Sequence, residues 1–274
     1  MKVYEIPQSS RTARGRPIIN LLPLEPDEKI NTILPIRDYE DDKFVFMATT
    51  NGTVKKTPLT EFSRPRANGK IAIDLREDNA LVSADITDGH KDVLIFSSAG
   101  KAARFNEENV RSMGRTAAGV RGIKLAEGEK VIALIVEDEG MVLTATENGY
   151  GKRTALSEYP TKGRGGMGVI SIQTSERNGN VVGAVLVKDD DEMMLISSRG
   201  TLVRTRINEI SIVGRNTQGV RLINLGDGEQ LVSIDRICDL QTPDIEGEAA
   251  DGDSADSTPE AGNEDSGSDE TPKE

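Results

Sequence analysis

Gly119-Val-Arg-Gly-Ile-Lys-Leu125 alternates apolar and polar residues at period two, the pattern of a strand with one face buried. Ala126–Glu129 reads as a turn. Lys130–Val136 follows as an aliphatic, β-branched run that suits a strand buried on both faces or nearly so. A second turn at Glu137–Gly140 leads into Met141–Thr146. Asn148-Gly149 is then the strongest short hairpin signal in the chain, since both turn positions tolerate positive φ. Tyr150–Thr154 pairs back, and Leu156–Arg164 is a polar connection. Four short strands are predicted within one stretch, and no segment carries a convincing helical stripe of period 3.6.

The same pattern returns along the chain. Hairpin turns at Asn51-Gly52, Ala99-Gly100, Asn148-Gly149 and Arg199-Gly200 are 48, 49 and 51 residues apart. A Gly-x-x-x-Ile motif recurs at Gly15–Ile19, Gly69–Ile73, Gly119–Ile123, Gly168–Ile172 and Gly219–Ile223, spaced 54, 50, 49 and 51. Leu81, Val131, Val181 and Leu231 repeat at intervals of 50 in one buried strand. Periods of 40–50 residues are typical of propeller blades. We therefore expect an all-β fold of four-stranded blades over residues 1–238. Cut at the second motif, the repeats are a partial 1–19, then 20–73, 74–123, 124–172 and 173–223, and a partial 224–238. Met1–Ile6 is strand-like, as in a chain that begins inside a repeat. With no Trp and few aromatics, the core must rest on Ile, Val, Leu and Met, and the Trp-Asp signature of many propellers is missing.

Charge changes this picture in two ways. The formal net charge of −12 belongs to the end of the chain. Residues 239–274 hold 13 acidic residues and one Lys with no aromatic, a composition expected to stay disordered. The body is neutral, yet polarised within each repeat. The five segments that run up to the motif isoleucines (1–19, 52–73, 100–123, 149–172 and 200–223) hold 22 basic and 6 acidic residues, net +16, and the intervening segments are net −16.

The basic residues also recur in phase. Lys56, Arg104, Arg153 and Arg204 each lie four residues after a hairpin glycine. Arg11, Arg115, Arg164 and Arg215 lie four residues before the second glycine, and where Pro65 takes that position Arg64 and Arg66 flank it. The same segments add Arg14, Arg16, Lys70, Arg121, Lys152, Lys162 and Arg221. In-phase residues of a blade array become neighbours around its rim, and a curved basic stripe beside glycine-rich loops is the footprint of a polyanion-binding surface. Phe62, Phe105, Tyr150 and Tyr159 are the only aromatics in these stretches after the first, too few for a base-stacking platform. Duplex DNA bent around the rim, read by charge and deformability, fits better.

Catalytic readings find no support. One His and one Cys, His90 and Cys238, leave no triad, disulfide framework or cysteine metal site. Asp189–Glu192 sits where a solvated turn is expected, and Gly163–Gly168 lacks the Gly-Lys-Ser/Thr and following helix of a phosphate loop. No apolar run approaches 18 residues. A protein-interaction scaffold is the alternative from a different class. It would bind through its faces with weak salt dependence.

Three stretches resemble the C-terminal domain of bacterial DNA gyrase A, in its proteobacterial form: Ala13-Arg-Gly-Arg-Pro-Ile-Ile-Asn-Leu-Leu-Pro-Leu24, Thr144-Ala-Thr-Glu-Asn-Gly-Tyr-Gly-Lys-Arg-Thr154 and Glu209-Ile-Ser-Ile-Val-Gly-Arg-Asn-Thr-Gln-Gly-Val220. The resemblance spans residues 1 to about 238. It implies a β-pinwheel, a propeller-like disc or shallow spiral whose basic rim wraps duplex DNA so that the holoenzyme can introduce negative supercoils. It implies as partners the rest of gyrase A and the gyrase B protein in an A2B2 holoenzyme, in the cytoplasm and at the nucleoid. ATP and Mg are expected on other domains or subunits, with no cofactor in this fragment. No residue here is proposed as catalytic: Tyr4, Tyr39, Tyr150 and Tyr159 all lie in blade-like contexts. The family's signature heptapeptide, Gln-Arg-Arg-Gly-Gly-Lys-Gly, is absent, expected upstream of Met1. Lys162-Gly-Arg-Gly-Gly-Met-Gly168 keeps four of its seven positions. The related C-terminal domain of topoisomerase IV is the alternative within the class.

Overall fold

The computed structural model describes residues 1–238 apart from Arg11, Pro23, Pro26, Asp27, Ala67 and Glu77. The acidic tail expected at 239–274 and the candidate Arg11 lie outside the described residues.

Among the described residues fifteen strands, numbered in chain order, build four antiparallel sheets. The first holds β1 (Phe44–Thr49), β2 (Thr53–Pro58), β3 (Leu81–Thr87) and the two-residue β6 (Val120–Arg121), in the order β3-β1-β2-β6. The second holds β4 (Asp92–Ser97), β5 (Lys101–Asn106), β7 (Val131–Val136) and β10 (Val169–Ile170), in the order β7-β4-β5-β10. The third holds β8 (Met141–Thr146), β9 (Tyr150–Ala155), β11 (Val181–Val187) and β14 (Val220–Arg221), in the order β11-β8-β9-β14. The fourth has three strands, β12 (Glu192–Ser197), β13 (Leu202–Arg206) and β15 (Leu231–Ile237), with β12 in the middle.

The strands fall where the alternation places them, but the sheets do not follow repeats cut at Gly-x-x-x-Ile. A hairpin such as β1–β2 leaves its outer edge unpaired, and an unpaired edge exposes a row of backbone donors and acceptors. The next repeat fills it. Residues Val120 and Arg121, just after Gly119, pair with Val54 and Thr53 of the sheet before. Val169–Ile170 do the same for β5, and Val220–Arg221 for β9. Beyond each short strand the chain bonds back to the hairpin glycine itself. The N–H groups of Gly122 and Ile123 both point at the Gly52 carbonyl, those of Ser171 and Ile172 at Gly100, and those of Leu222 and Ile223 at Gly149. The expected unit therefore mixes three sheets: β7 belongs to the sheet before β8–β9, and β6 to the one before that.

This exchange explains both glycines. The first three hairpin loops have three residues with glycine last, the fourth has four (198–201) with Gly200 third, and among the described residues Asn51 and Asn148 do not adopt positive φ. The two-residue turn expected at Asn148-Gly149 is thus a three-residue loop with glycine in the left-handed position, the other common hairpin solution. A Cβ on Gly100 would lie 2.2 Å from the Ile172 carbonyl, and one on Gly52 2.9 Å from that of Ile123. At the second motif, a Cβ on Gly119 would lie 2.5 Å from the Val54 carbonyl, and one on Gly168 2.4 Å from that of Ala102.

The cores lie between sheets. Phe46, Ala48 and Val54 of the first meet Val93, Ile95 and Phe105 of the second. Leu94, Phe96 and Ile135 of the second meet Val142 and Ala184 of the third, and Leu143 and Val187 of the third meet Met193 and Leu195 of the fourth. Leu34, Ile36 and Tyr39 pack on the remaining face of the first sheet, over Val45, Met47 and Ala84. The Lys130–Val136 run proves buried on one face and half-buried on the other. Met1–Ile6, expected as strand, is exposed and forms a 3-10 turn at Val3–Glu5, with no hairpin beside it to pair with among the described residues.

Gly100→Ala should destabilise the protein by about 3 kcal/mol or more, combining left-handed backbone cost with a backbone overlap. Gly128→Ala, where φ is +79° and nothing lies within 4 Å, should cost only about 1 kcal/mol. Urea unfolding of the two variants checks the difference. Equal losses would mean that the exchanged strand does not constrain the hairpin.

Candidate nucleic-acid interface

The in-phase basic residues divide into two sets with opposite fates. Those four residues after a hairpin glycine sit on the outer hairpin strand of one sheet and reach the 3-10 turn that follows the hairpin of the next. Lys56 donates to the Glu107 carbonyl at 3.0 Å, with the Glu107 carboxylate 3.8 Å away. Arg104 donates to the Leu156 and Tyr159 carbonyls, each at 3.1 Å, while Asp92 at 2.9 Å and Glu137 at 2.6 Å hold the rest of its guanidinium. Arg153 donates to the Ile210 carbonyl at 2.7 Å and pairs with Asp189. Isolated parallel bridges at Lys56–Ser112, Arg104–Thr161 and Arg153–Ile212 mark the same three junctions.

Lys56 and Arg153 retain only 6% and 5% exposure, and Arg104 is half-buried. The sequence places these side chains on a DNA-facing arc; the structure corrects this, because carbonyls and carboxylates between blades take up their charge. Arg204, the fourth of the set, is exposed and pairs with Glu192 of its own sheet. Lys152 is a second correction. It is fully buried, and its ammonium donates to the Gly214 and Arg215 carbonyls at 2.6 and 2.7 Å. Lys55, in the equivalent position two repeats earlier, donates to the carbonyls of Ala72, at 2.7 Å, and Arg115. Burial lowers both ammonium groups to about 8, helped by the neighbouring Arg115 and Arg215. The acidic segments thus do more than face solvent: Asp92, Glu137 and Asp189 supply counter-charges of the clips, and Glu107 of a basic segment supplies that of Lys56.

The arginines four residues before the second glycine run along the outer edge instead. Arg115 donates to the Ile71 carbonyl at 3.1 Å, Arg164 to that of Arg121 at 3.1 Å and Arg215 to that of Ile170 at 2.9 Å. In each case the acceptor lies two residues after the preceding motif glycine. Each side chain is thereby fixed on the neighbouring edge; Arg164 also donates through Nε to the Asn109 carbonyl at 2.9 Å, and the Arg115 Nε lies 3.7 Å from the Glu61 carboxylate. Arg164 remains exposed, Arg115 and Arg215 half-exposed. Arg121 and Arg221, on the exchanged strands β6 and β14, are exposed, as is Lys162. Arg14, Arg16, Arg64 and Arg66 are exposed outside the sheets, while Lys70 is half-buried and donates to the Glu61 carbonyl at 3.2 Å and to that of Ser63.

The periodic reading misses Arg177 because it lies in an acidic segment, and Lys55 because only Lys152 repeats it. The remaining candidates are settled by contacts. Asp189 is the partner of Arg153, His90 is exposed and bonded to Glu108 at 2.7 Å, and Tyr159 is buried with its hydroxyl 2.8 Å from that of Ser171.

Stacked four-stranded antiparallel sheets that exchange an edge strand, with a line of anchored arginines on the exchanged edge, define a propeller-type domain with a basic rim. Residues 1–37, 43–88, 91–136, 140–188 and 191–238 match the family described as DNA gyrase C-terminal domain, beta-propeller, and the chain belongs to that family. The DNA gyrase A protein of Klebsiella oxytoca is 57% identical over 270 residues, which cover 97% of this chain and 31% of that protein. Its Escherichia coli K12 counterpart is 57% identical over 260 residues, 92% of this chain and 30% of the relative. The chain thus spans a little under a third of the length of the curated relatives it matches. Among solved structures, a DNA gyrase A C-terminal domain aligns with TM-score 0.74 at 31% identity, covering 82% of this chain and 76% of the other. The C-terminal domain of a DNA topoisomerase IV aligns with TM-score 0.77 at 26% identity, covering 81% and 70%.

Two outcomes test the division of roles. Arg104→Ala should cost about 3 kcal/mol, since it strands two carboxylates and two carbonyls at a junction, whereas Arg204→Ala should cost under about 1 kcal/mol. Denaturant midpoints read this directly, and similar losses would contradict the clip assignment. Stability should also rise between about pH 8 and pH 10.5. In that window the unfolded chain still binds the Lys55 and Lys152 protons that the folded state has released, so unfolding takes up protons and becomes harder as pH increases. A Lys55→Met, Lys152→Met double variant should lose the rise; if it keeps the wild-type slope, the two lysines are not its source.

Proposed function

We propose that this chain is the part of a DNA gyrase A protein that binds duplex DNA along the outer edges of its blades and bends the duplex around them. The observation that carries the reading is the anchored line of Arg115, Arg164 and Arg215, interleaved with the exposed Arg121 and Arg221 on the exchanged strands. Guanidinium groups held at blade spacing by backbone carbonyls suit phosphates, which are recognised by charge and position and not by base identity. The other exposed candidates, Arg14, Arg16, Arg64, Arg66 and Lys162, add to the field that attracts the duplex. Lys56, Arg104, Arg153 and Lys152 serve this function indirectly, by fixing the angle between blades.

In this reading the bent segment is presented to the strand-passage machinery of the rest of gyrase A. The gyrase B protein completes the A2B2 holoenzyme in the cytoplasm, and ATP and Mg act on other domains. The family membership and the gyrase relatives support gyrase over topoisomerase IV.

Fluorescence anisotropy of a labelled duplex across a KCl series tests this. About one phosphate contact for each of four blades should give a log K against log salt slope of roughly −4. Changing Arg121, Lys162 and Arg221 together to Glu should weaken binding more than tenfold while leaving the thermal unfolding midpoint within a few degrees of wild type. Binding with little salt dependence, or a triple variant that binds as wild type does, would favour the protein-interaction scaffold.

A further inference from the structure

One place on the rim breaks the repeat. Four residues before Leu81, Val131 and Leu231 the chain carries an acid, Glu77, Glu127 and Asp227; four before Val181 it carries Arg177. The residue after the hairpin glycine is Thr53, Lys101 and Thr201 in three repeats and Tyr150 in the fourth. Both departures occur at the third sheet, and they meet. The Arg177 guanidinium carbon lies 4.8 Å from the Tyr150 ring centroid, and that of Arg221 lies 5.4 Å from it. Arg221 also donates to the Tyr150 hydroxyl at 2.9 Å and to the Asn224 side-chain oxygen at 3.1 Å.

Both arginines are exposed, and neither pairs with a carboxylate among the described residues. Among the described residues no other ring gathers two guanidiniums. Arg104, Arg115, Arg153, Arg204 and Arg236 each have an acid within 4 Å. Two cations gathered on one ring repel each other, and cation–π attraction at an exposed site offsets only part of that. The arrangement lacks one component, an anion. The Tyr150 hydroxyl accepts from Arg221 through its oxygen and keeps its own proton to donate, while the residue itself is buried beneath the two arginines. Arg177 and then Arg221 pull the phenol below its usual range, which makes that proton a stronger donor.

We propose that Arg177, Tyr150 and Arg221 form a phosphate notch on the third sheet that takes one backbone phosphate of the bound duplex and so fixes where the duplex crosses this blade. The inference rests on the DNA-binding reading above. A phosphodiester fits because two planar guanidiniums and a hydroxyl match its unesterified oxygens, and because the notch opens on β14, the strand that carries the rim.

The test uses the full chain and the same labelled duplex. Arg177→Glu, which restores the acid of the other repeats, should reduce the magnitude of the salt slope by about 1. Arg199→Glu makes the same charge change at an exposed hairpin position outside the notch and should leave the slope at its wild-type value. Tyr150→Phe keeps the ring under both guanidiniums and should weaken binding a few-fold. In NMR spectra the Tyr150 ring signals should move with added duplex and stay in place with inorganic phosphate at equal phosphate concentration. An unchanged slope for Arg177→Glu, an equal change for Arg199→Glu, or Tyr150 signals that follow inorganic phosphate alone would overturn the notch. Failure of the wild-type chain to bind duplex would instead remove the reading on which it rests.

Discussion

Everything in this domain depends on how one repeat closes the open edge of the one before it. A hairpin ends on an unpaired strand, and the following repeat lays two residues along that strand and then caps the hairpin glycine's carbonyl with two N–H groups. Because the pairing is between repeats, each sheet is complete only when its successor is folded. Stability is then shared between neighbours in the manner of repeat arrays. The glycines are the price of that closeness: side chains at Gly100 or Gly119 would lie within van der Waals overlap of the crossing backbone.

The exchange also sorts the charges. On the inner side of the crossing, Lys56, Arg104 and Arg153 are pulled into the next blade, where carbonyls of a 3-10 turn and nearby carboxylates surround them. On the outer side, Arg115, Arg164 and Arg215 are tied to the edge by backbone carbonyls, Arg164 through two N–H groups, while their side chains stay exposed or half-exposed. One repeated element therefore sets both the angle between blades and the spacing of the exposed cations. The clips differ in strength along the array: Lys56 meets one carbonyl and one distant carboxylate, whereas Arg104 has four partners within 3.1 Å.

Much of this is legible in the residues. Period-two alternation locates the strands, and the recurring glycines locate the hairpins and the edge segments. The sign of the charge in each half repeat points to a polyanion. The grouping of strands into sheets is not legible, because a two-residue strand such as Val120–Arg121 carries no periodicity and its partner lies about 66 residues away in the sequence. Nor is the fate of the in-phase cations. Phase tells that Lys56, Arg104 and Arg153 are equivalent, but equivalence holds equally for a rim and for a junction. The acids that neutralise them, Asp92, Glu137 and Asp189, sit in the other half of the repeat, where charge counting alone assigns them to a separate surface. Tyr150 looks like an ordinary strand residue until the fold brings Arg177 and Arg221 to its ring.

If the rim works as proposed, blade geometry is converted into a bend in DNA with a defined hand. The most direct measurement is ligation of a nicked circular duplex with this chain bound, followed by deproteinisation and topoisomer separation. Positive writhe trapped in the product, increasing with the amount of protein bound, is the expected result. A topoisomer distribution identical to that of the protein-free circle, under conditions where binding is saturated, would contradict it.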